Sequence, residues 1–463
     1  MTLKLYSSLT GKKESFKPKY KNEVKIYGCG PTVYDIPHIG NFRTFTFYDL
    51  INRVLKMNGF STITAVNITD IDDKIINRVN EEKSSLKKIT SRYEKSFHEI
   101  SRNLNIIPND YNPKATDFVE KMIEFIQRLI NEGFAYESNN SVYFIVEKDS
   151  NYERFVNLKL INEDVDYAKS NKNQDKRSAG DFALWKSWNE NDGDIFWDSP
   201  WGKGRPAWHT ECAVMIEDLF NGEVDIHCGG IDLKFPHHEN ECAQIESLSG
   251  KKISDYWLHA EHLNIDEEKM SKSLGNFISV NTMIEENGPS AVRLFLLSAH
   301  YRTKVSFNLK KLNESKKMIE KITRFANNFD LIDIDNVEFK FSGEHLAFIN
   351  ALNDDLNTAE ALGLFFSFIS EMNKKINSSS LNESDKEKSL IFLKLFNSIF
   401  DIIDFDHSKK QKPPKDVQDL LFSRQEARNN KDWKMSDILR DKLKSMGWYV
   451  EDTATGQKLL EKK

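Results

Sequence analysis

Cysteine is scarce in this chain: 463 residues contain four, Cys29, Cys212, Cys228 and Cys242. So few thiols, with no apolar leader at the N-terminus, argue against a secreted scaffold held by disulfides. No stretch is long or apolar enough for a membrane-crossing helix, so a soluble, cytoplasmic protein is expected. Internal repeats and low-complexity tracts are missing as well. So is an excess of positive charge: 65 Lys and Arg against 71 Asp and Glu leave a net charge of −6. Binding to a polyanion would therefore depend on local basic faces rather than on the charge of the whole chain. The length suffices for about three domains, each with a sizeable core.

What is present begins with an apolar run, Val24 to Tyr27, and an amphipathic stretch, Phe42 to Asn58, on either side of Pro37-His38-Ile39-Gly40-Asn41. That order reads as strand, tight turn, helix. A helix start offers unpaired backbone N–H groups and partial positive charge, which suits a phosphate. Gly40 has no Cβ to keep a ligand off the backbone, and His38 can donate to a phosphate oxygen. Far downstream, Lys269-Met270-Ser271-Lys272-Ser273 adds two lysines and two hydroxyls, suited to gripping a polyphosphate whose charge grows during reaction.

The cysteines fall near other metal-binding residue types. Cys29 lies between Gly28 and Gly30 at the end of the first strand, and Cys212 closes Trp208-His209-Thr210-Glu211-Cys212. Phe235-Pro236-His237-His238-Glu239-Asn240-Glu241-Cys242 follows, with Pro236 placed to start a helix. His237 and Glu241 are four apart and share a helical face, but so do His238 and Cys242. Two thiolates, an imidazole and a carboxylate make a tetrahedral zinc set. Periodicity alone does not choose between the two pairs.

The histidine-glycine and lysine-serine motifs together, in this order and a domain's length apart, resemble the signatures of class I aminoacyl-tRNA synthetases. The stretches Gly28-Cys29-Gly30-Pro31-Thr32-Val33-Tyr34-Asp35, Trp208 to Cys212 and Phe235 to Glu241 resemble cysteinyl-tRNA synthetases in particular. That resemblance implies zinc ligands at Cys29, Cys212, His237 and Glu241, with the metal binding the substrate thiolate. It implies ATP contacts from His38, Gly40, Asn41, Lys269, Ser271 and Lys272, of which His38, Lys269 and Lys272 assist catalysis. Gly30, Thr69, Trp208 and His227 match positions around the bound cysteine. One zinc ion per chain, Mg²⁺ with ATP, L-cysteine and the cognate tRNA are the expected cofactors and partners. Size alone separates cysteine from serine by only about 1–3 kcal/mol. A borderline-soft metal prefers thiolate to hydroxyl, so no editing domain is needed.

The implied fold is α/β: a Rossmann-like parallel-sheet catalytic domain with an inserted subdomain, then an α-helical bundle and a small C-terminal anticodon-binding module. The expected divisions are 1–111 and 201–304 for the two catalytic halves, with 112–200 inserted between them. The bundle would cover 305–407, and a linker with the terminal module 408–463. Strands are expected at Val24–Tyr27, Thr62–Val66, Ser141–Val146 and Asp225–His227, and a helical pattern at Ala115–Gly133. The polar stretch Lys169–Lys176 reads as a surface loop. Lys409-Lys410-Gln411-Lys412-Pro413-Pro414-Lys415 reads as a linker, and Trp433 beyond it as either an anticodon-stacking ring or a core residue.

Asn41 stands where the class signature usually has a second histidine, which keeps a donor but removes any imidazolium charge. Cys228 and Cys242 read as small hydrophobes, although Cys228 lies close enough to the site to compete as a thiol. His209 and His238 read as groups that orient the metal ligands. A monomer is expected, since no exposed apolar seam is evident. Two other functions fit parts of the pattern: a cysteine ligase acting on a small amine, and a non-catalytic RNA-binding paralogue. The terminal module argues against the first and the intact motifs against the second.

Overall fold

The computed structural model describes residues 2–156, 175–265, 268–269, 279–329, 340–341, 343–404, 414–453 and 456–461. They fall in two compact units, Met1–Ile403 and Asp404–Lys463. Among the described residues the parallel sheet of the first unit has four strands, with β1 at Glu23–Gly28 and, across helix α1 (Ile39–Met57), β2 at Ser61–Val66. Helix α2 (Asp73–Glu82) follows, and the remaining sheet elements come after residue 200. They are α3 (Trp208–Phe220), β3 (Val224–Gly230), α4 (Glu239–Ser249) and β4 (Ser254–Ala260). The spatial order is β4-β3-β1-β2, and all three pairings are parallel.

Covered on both faces, these strands are nearly continuous apolar runs: Val24, Ile26, Tyr27, Val224, Ile226, Cys228, Trp257 and Leu258 are all buried. The order of strand addition reverses between β1 and β3, with β2 laid on one side and β4 on the other, and ligands of such sheets bind outside the strand ends at that point. There Tyr27 pairs with His227 and Gly28 with Cys228, and Cys29 N–H continues the ladder to the Cys228 carbonyl at 3.1 Å. Gly28 cannot be larger, because a Cβ there would lie 2.6 Å from the Tyr48 ring of α1. The Tyr48 hydroxyl lies 3.1 Å from both the Cys29 and the Cys228 carbonyl, fixing α1 against the two strand ends.

Between the sheet halves, a helix at Val119–Asn131 leads to an antiparallel sheet of Ala135–Ser138, Ser141–Phe144, Phe182–Ser187 and Gly204–Pro206. The segment Ala115–Phe118 is a 3₁₀ turn rather than the first turn of that helix. One apolar cluster runs from Phe144, Phe182 and Trp185 through Cys212 and Ala213 to Trp257, so the insertion and the catalytic sheet share a core. The last inserted strand leads directly into α3. Ala207 N–H donates to the Leu184 carbonyl at 2.9 Å, which sets where that helix begins.

Beyond the sheet the first unit is mostly helical, with helices at Leu309–Ala326, Gly343–Asn353, Thr358–Asn377 and Glu383–Phe400. Aromatic rings fill their core, and Phe365 stacks on Phe396 at 3.9 Å. Arg293, wholly buried, bonds Asp49 of α1 at 2.5 Å and the Leu104 carbonyl at 2.8 Å, and its Nε donates to the Phe400 carbonyl at 2.5 Å. The second unit has helices Lys415–Asn429 and Trp433–Ser445 and a hairpin, Trp448–Thr453 with Gly456–Glu461. Arg424 is buried there and grips Asp452 with two bonds of 2.9 and 3.0 Å. The expected loop Lys169–Lys176 and linker Lys409–Lys415 lie largely outside the described residues.

Candidate active site

Four elements bring polar groups to the ends of β1 and β3. Cys29 follows β1, and Cys212 lies on α3 one turn after Trp208. Glu241 lies in the first turn of α4, and His237 in the turn before it. That turn differs from the sequence expectation. Pro236 does not open the helix: Lys234–His238 forms a π-helical turn with Phe235 extended, and α4 begins at Glu239. His237 and Glu241 still meet, with Nε2 2.8 Å from Oε1.

The remaining distances complete a compact cluster. Cys29 Sγ lies 3.9 Å from Cys212 Sγ and 3.6 Å from Glu241 Oε1, and Cys212 Sγ lies 3.5 Å from His237 Nε2. A tetrahedral zinc site with thiolate, imidazole and carboxylate ligands has donor–donor edges of about 3.3–3.8 Å. The residues fit such an ion, with the His237–Glu241 edge opening by about 0.5 Å. A second set, Cys29, His227, His238 and Glu241, also converges within 4.8 Å and shares two members with the first. His238 Nε2 is 3.2 Å from Cys29 Sγ, and His227 Nε2 is 2.6 Å from Glu241 Oε2.

Burial and charge act against each other here. Burial would drive His237 neutral, but the Glu241 carboxylate and Cys212 outweigh it and bring its pKa up to about 10. Glu241, although buried, is held well below the usual carboxylate range by His227 and His237. Burial also raises the Cys212 thiol, yet hydrogen bonds from Cys29 and His237 bring it down to about 6. Cys29 is pushed well above the ordinary thiol value, first by burial and then by Cys212. One thiol of the pair is thus poised as a thiolate next to an imidazolium, which suits a metal-ligating set.

Other rings hold the ligands in place. His209 Nδ1 lies 2.9 Å from His237 Nδ1, and the Trp208 ring stacks on His237 at 4.2 Å. His238 Nδ1 is 2.8 Å from His259 Nε2, whose Nδ1 is 2.8 Å from Ser8 Oγ. His227 stacks on Trp257 at 4.3 Å. On the far side of the strand ends, Gly30 N–H donates to Asn67 Oδ1 at 2.7 Å. A Cβ on Gly30 would lie 1.6 Å from the Asn67 carbonyl, so only glycine lets the loops after β1 and β2 close together.

The histidine-glycine motif lies at the start of α1. His38 is its N-cap: Nδ1 accepts from Asn41 N–H at 3.3 Å, while Asn41 Oδ1 accepts from His38 N–H at 3.1 Å. The His38 ring lies over Gly40, where a Cβ would come within 2.9 Å of it. Ser279 bridges to His38, and the strand Leu263–Ile265 passes Gly40 and pairs with Glu268–Lys269. The backbone before and after the lysine motif is thereby fixed beside the helix start.

Comparison with known proteins then decides the family. Residues 15–317 match the sequence model for "tRNA synthetases class I (C) catalytic domain", 347–404 the DALR domain, and 411–458 the "Cysteinyl-tRNA ligase anticodon binding domain". A cysteine–tRNA ligase of Brachyspira hyodysenteriae is 39% identical over 98% of both chains. One of Chlamydia caviae is 40% identical over 99% of this chain and 97% of its own. The chain belongs to the class I cysteine–tRNA ligases. Solved structures share the fold at low identity. Mycobacterium tuberculosis methionyl-tRNA synthetase in complex with methionyl-adenylate has a TM-score of 0.60 at 14% identity, over 82% of this chain and 90% of its own. LeuRS of Agrobacterium radiobacter, in a ternary complex, has 0.62 at 10%, over 84% and 85%.

Of the residues expected to serve this cysteine–tRNA ligase, Cys29, Cys212, His237 and Glu241 come together, and Gly30, Thr69, Trp208 and His227 surround them. Lys269 is placed in a strand by its backbone, while Ser271 and Lys272 lie outside the described residues. The rival pair His238 and Cys242 divides: His238 faces Cys29, and Cys242 enters the apolar core. Cys228 does not compete for the site. Its thiol points to the Tyr27 carbonyl at 3.4 Å and lines a cavity of about 150 Å³ between α1 and the sheet. The sequence reading omits His259, whose signal is its position near the C-terminal end of β4.

Proposed function

We propose that this ligase works in two steps, with a zinc ion selecting the substrate thiolate. The observation that carries the reading is the buried set Cys29, Cys212, His237 and Glu241 at the reversal between β1 and β3, next to a capped helix start. The set with two thiols is preferred over the one with His227 and His238, because sulfur ligands suit a borderline-soft ion. When bound, zinc supplies a strong preference for thiolate over hydroxyl, which separates cysteine from serine.

In the first step a carboxylate oxygen of cysteine attacks the α-phosphorus of ATP, the bond to the β-phosphate oxygen breaks, and pyrophosphate leaves. The chain contributes position and charge rather than a nucleophile. His38 and the N–H groups at the start of α1 hold phosphate oxygens, Gly40 allows close approach, and Asn41 keeps His38 oriented. Lys269 and Lys272 neutralise the departing charge, alongside Mg²⁺ carried by ATP. Gly30, Thr69, Trp208 and His227 line the cysteine.

In the second step the terminal ribose hydroxyl of the tRNA attacks the acyl carbon and AMP leaves. The C-terminal module holds the anticodon. Trp433, 57% exposed and with the Arg428 guanidinium 5.6 Å from its ring, offers a stacking face there.

Cysteine-dependent ATP–pyrophosphate exchange tests this reading, with serine as competitor, before and after chelation of the metal. Exchange with cysteine, none with serine, and loss on chelation with recovery on zinc addition are expected. Undiminished exchange by metal-free protein would overturn the metal's role. Exchange without tRNA charging would favour a small amine as acceptor.

A further inference from the structure

Glu211 takes no part in the chemistry so far, and its surroundings are unusual. It lies on α3 between Trp208 and Cys212, on the helical face they share, and is fully buried. Its Oε2 accepts the Thr69 hydroxyl at 2.9 Å, while Oε1 has no hydrogen-bond partner among the described residues. No cationic side chain among those residues pairs with it. A buried carboxylate with one oxygen unpaired is costly unless a donor joins it.

The acceptors next to it are arranged for one. Asn67 Nδ2 donates to Thr69 Oγ1 at 3.1 Å, and Asn67 Oδ1 holds Gly30 N–H. The one proton of the Thr69 hydroxyl is committed to Glu211, and one of its lone pairs to Asn67. A single lone pair remains, able only to accept. A free carboxylate oxygen and a free hydroxyl lone pair thus lie close to the cluster that binds the thiol end of cysteine. Three bonds separate sulfur from the α-nitrogen in that amino acid.

We propose that Glu211 is the counter-charge for the α-ammonium group of bound cysteine, with Oε1 accepting one N–H and Oε2 orienting Thr69 to accept another. This rests on the reading of the cluster as the cysteine site and deepens it. The amino acid is then held at both ends, the thiol by the cluster and the ammonium by Glu211.

The test uses the full-length, zinc-loaded protein and two ligands, cysteine and 3-mercaptopropionate, which keeps the thiol and carboxylate but lacks the amine. In Glu211→Gln, the KM for cysteine in pyrophosphate exchange rises about 10- to 100-fold, the scale of a lost hydrogen bond to a charged group. Inhibition by 3-mercaptopropionate and the zinc content stay as in the wild type. Thr69→Val shows a smaller rise of the same kind, and Thr69→Ser none. Should the glutamine variant misfold, Glu211→Asp shifts the carboxylate by one methylene and gives an intermediate rise, again for cysteine only.

Equal weakening of both ligands, loss of zinc, or an unchanged KM would overturn the inference. Absence of cysteine-dependent exchange from the wild type would overturn the underlying reading, and this one with it.

Discussion

The two compact units break the ordinary rule of burial in opposite directions. In the first, His227, His237, His238, Glu211 and Glu241 are buried at the ends of a parallel sheet. In the second, Phe422 is 67% exposed and Ile438 52%, with Trp433 also on the surface, although that unit is small and short of core. A buried polar group and an exposed large apolar one are the two departures that carry information. The first suits a small ligand whose few atoms must be told apart in a dry, charged site. The second suits a large partner that brings its own surface to cover the rings. For a cysteine–tRNA ligase, cysteine and tRNA differ in that way.

Breaking the buried side should have the largest effect. Cys212→Ser is expected to lose bound zinc and to bring cysteine-dependent exchange to background, as read by metal analysis and pyrophosphate exchange. A variant that keeps full exchange without metal would remove the distinction drawn for the cluster. Next comes Lys272→Ala, expected to slow exchange by about 10²–10³-fold, the cost of removing one group that stabilises transition-state charge. Cysteine binding, measured by calorimetry, should be unaltered in that variant.

Effects on the exposed side should be smaller and confined to the other substrate. Trp433→Ala is expected to lower kcat/KM for tRNA charging by about 5- to 150-fold, the range of one stacking contact. Pyrophosphate exchange should not change, and a fall in it would show that Trp433 supports the fold. The smallest of the four is His259→Asn. By loosening His238 behind Cys29 it should weaken zinc binding by about 10-fold, the low end for an outer partner of a ligand. Competition with a chromogenic chelator would measure it, and unchanged affinity would confine the site to its four nearest residues.

Much of the frame was legible locally. The apolar run Val24–Tyr27 and the pattern Phe42–Asn58 lie within Glu23–Gly28 and almost wholly within Ile39–Met57. What they lacked were the residues past each apolar pattern, above all the first turn of α1, where His38 and Asn41 cap each other. Pro236 was misleading because its preference for a helix start says nothing of a π-helical turn, which depends on how the chain leaves β3. Asn41, expected to offer its amide N–H to a phosphate, uses its side-chain oxygen inside the capping box.

The sequence by itself determined which residue types were available and how they repeat: two motifs fit for phosphate, and a histidine and carboxylate four apart. Helix and strand periods and turn chemistry act over a few residues, so they can be read without the fold. Periodicity could not say which thiols join them; the resemblance implied Cys29 and Cys212, and only the tertiary structure brings them there. Cys29 and Cys212 are 183 positions apart and Cys29 and Glu241 212, brought together by parallel strands and the helices between them. His238 and Cys242 have the same spacing as His237 and Glu241, and periodicity gives both pairs equal standing. The packing of α4 separates them, because His238 meets Cys29 at the polar strand ends while Cys242 joins the apolar core.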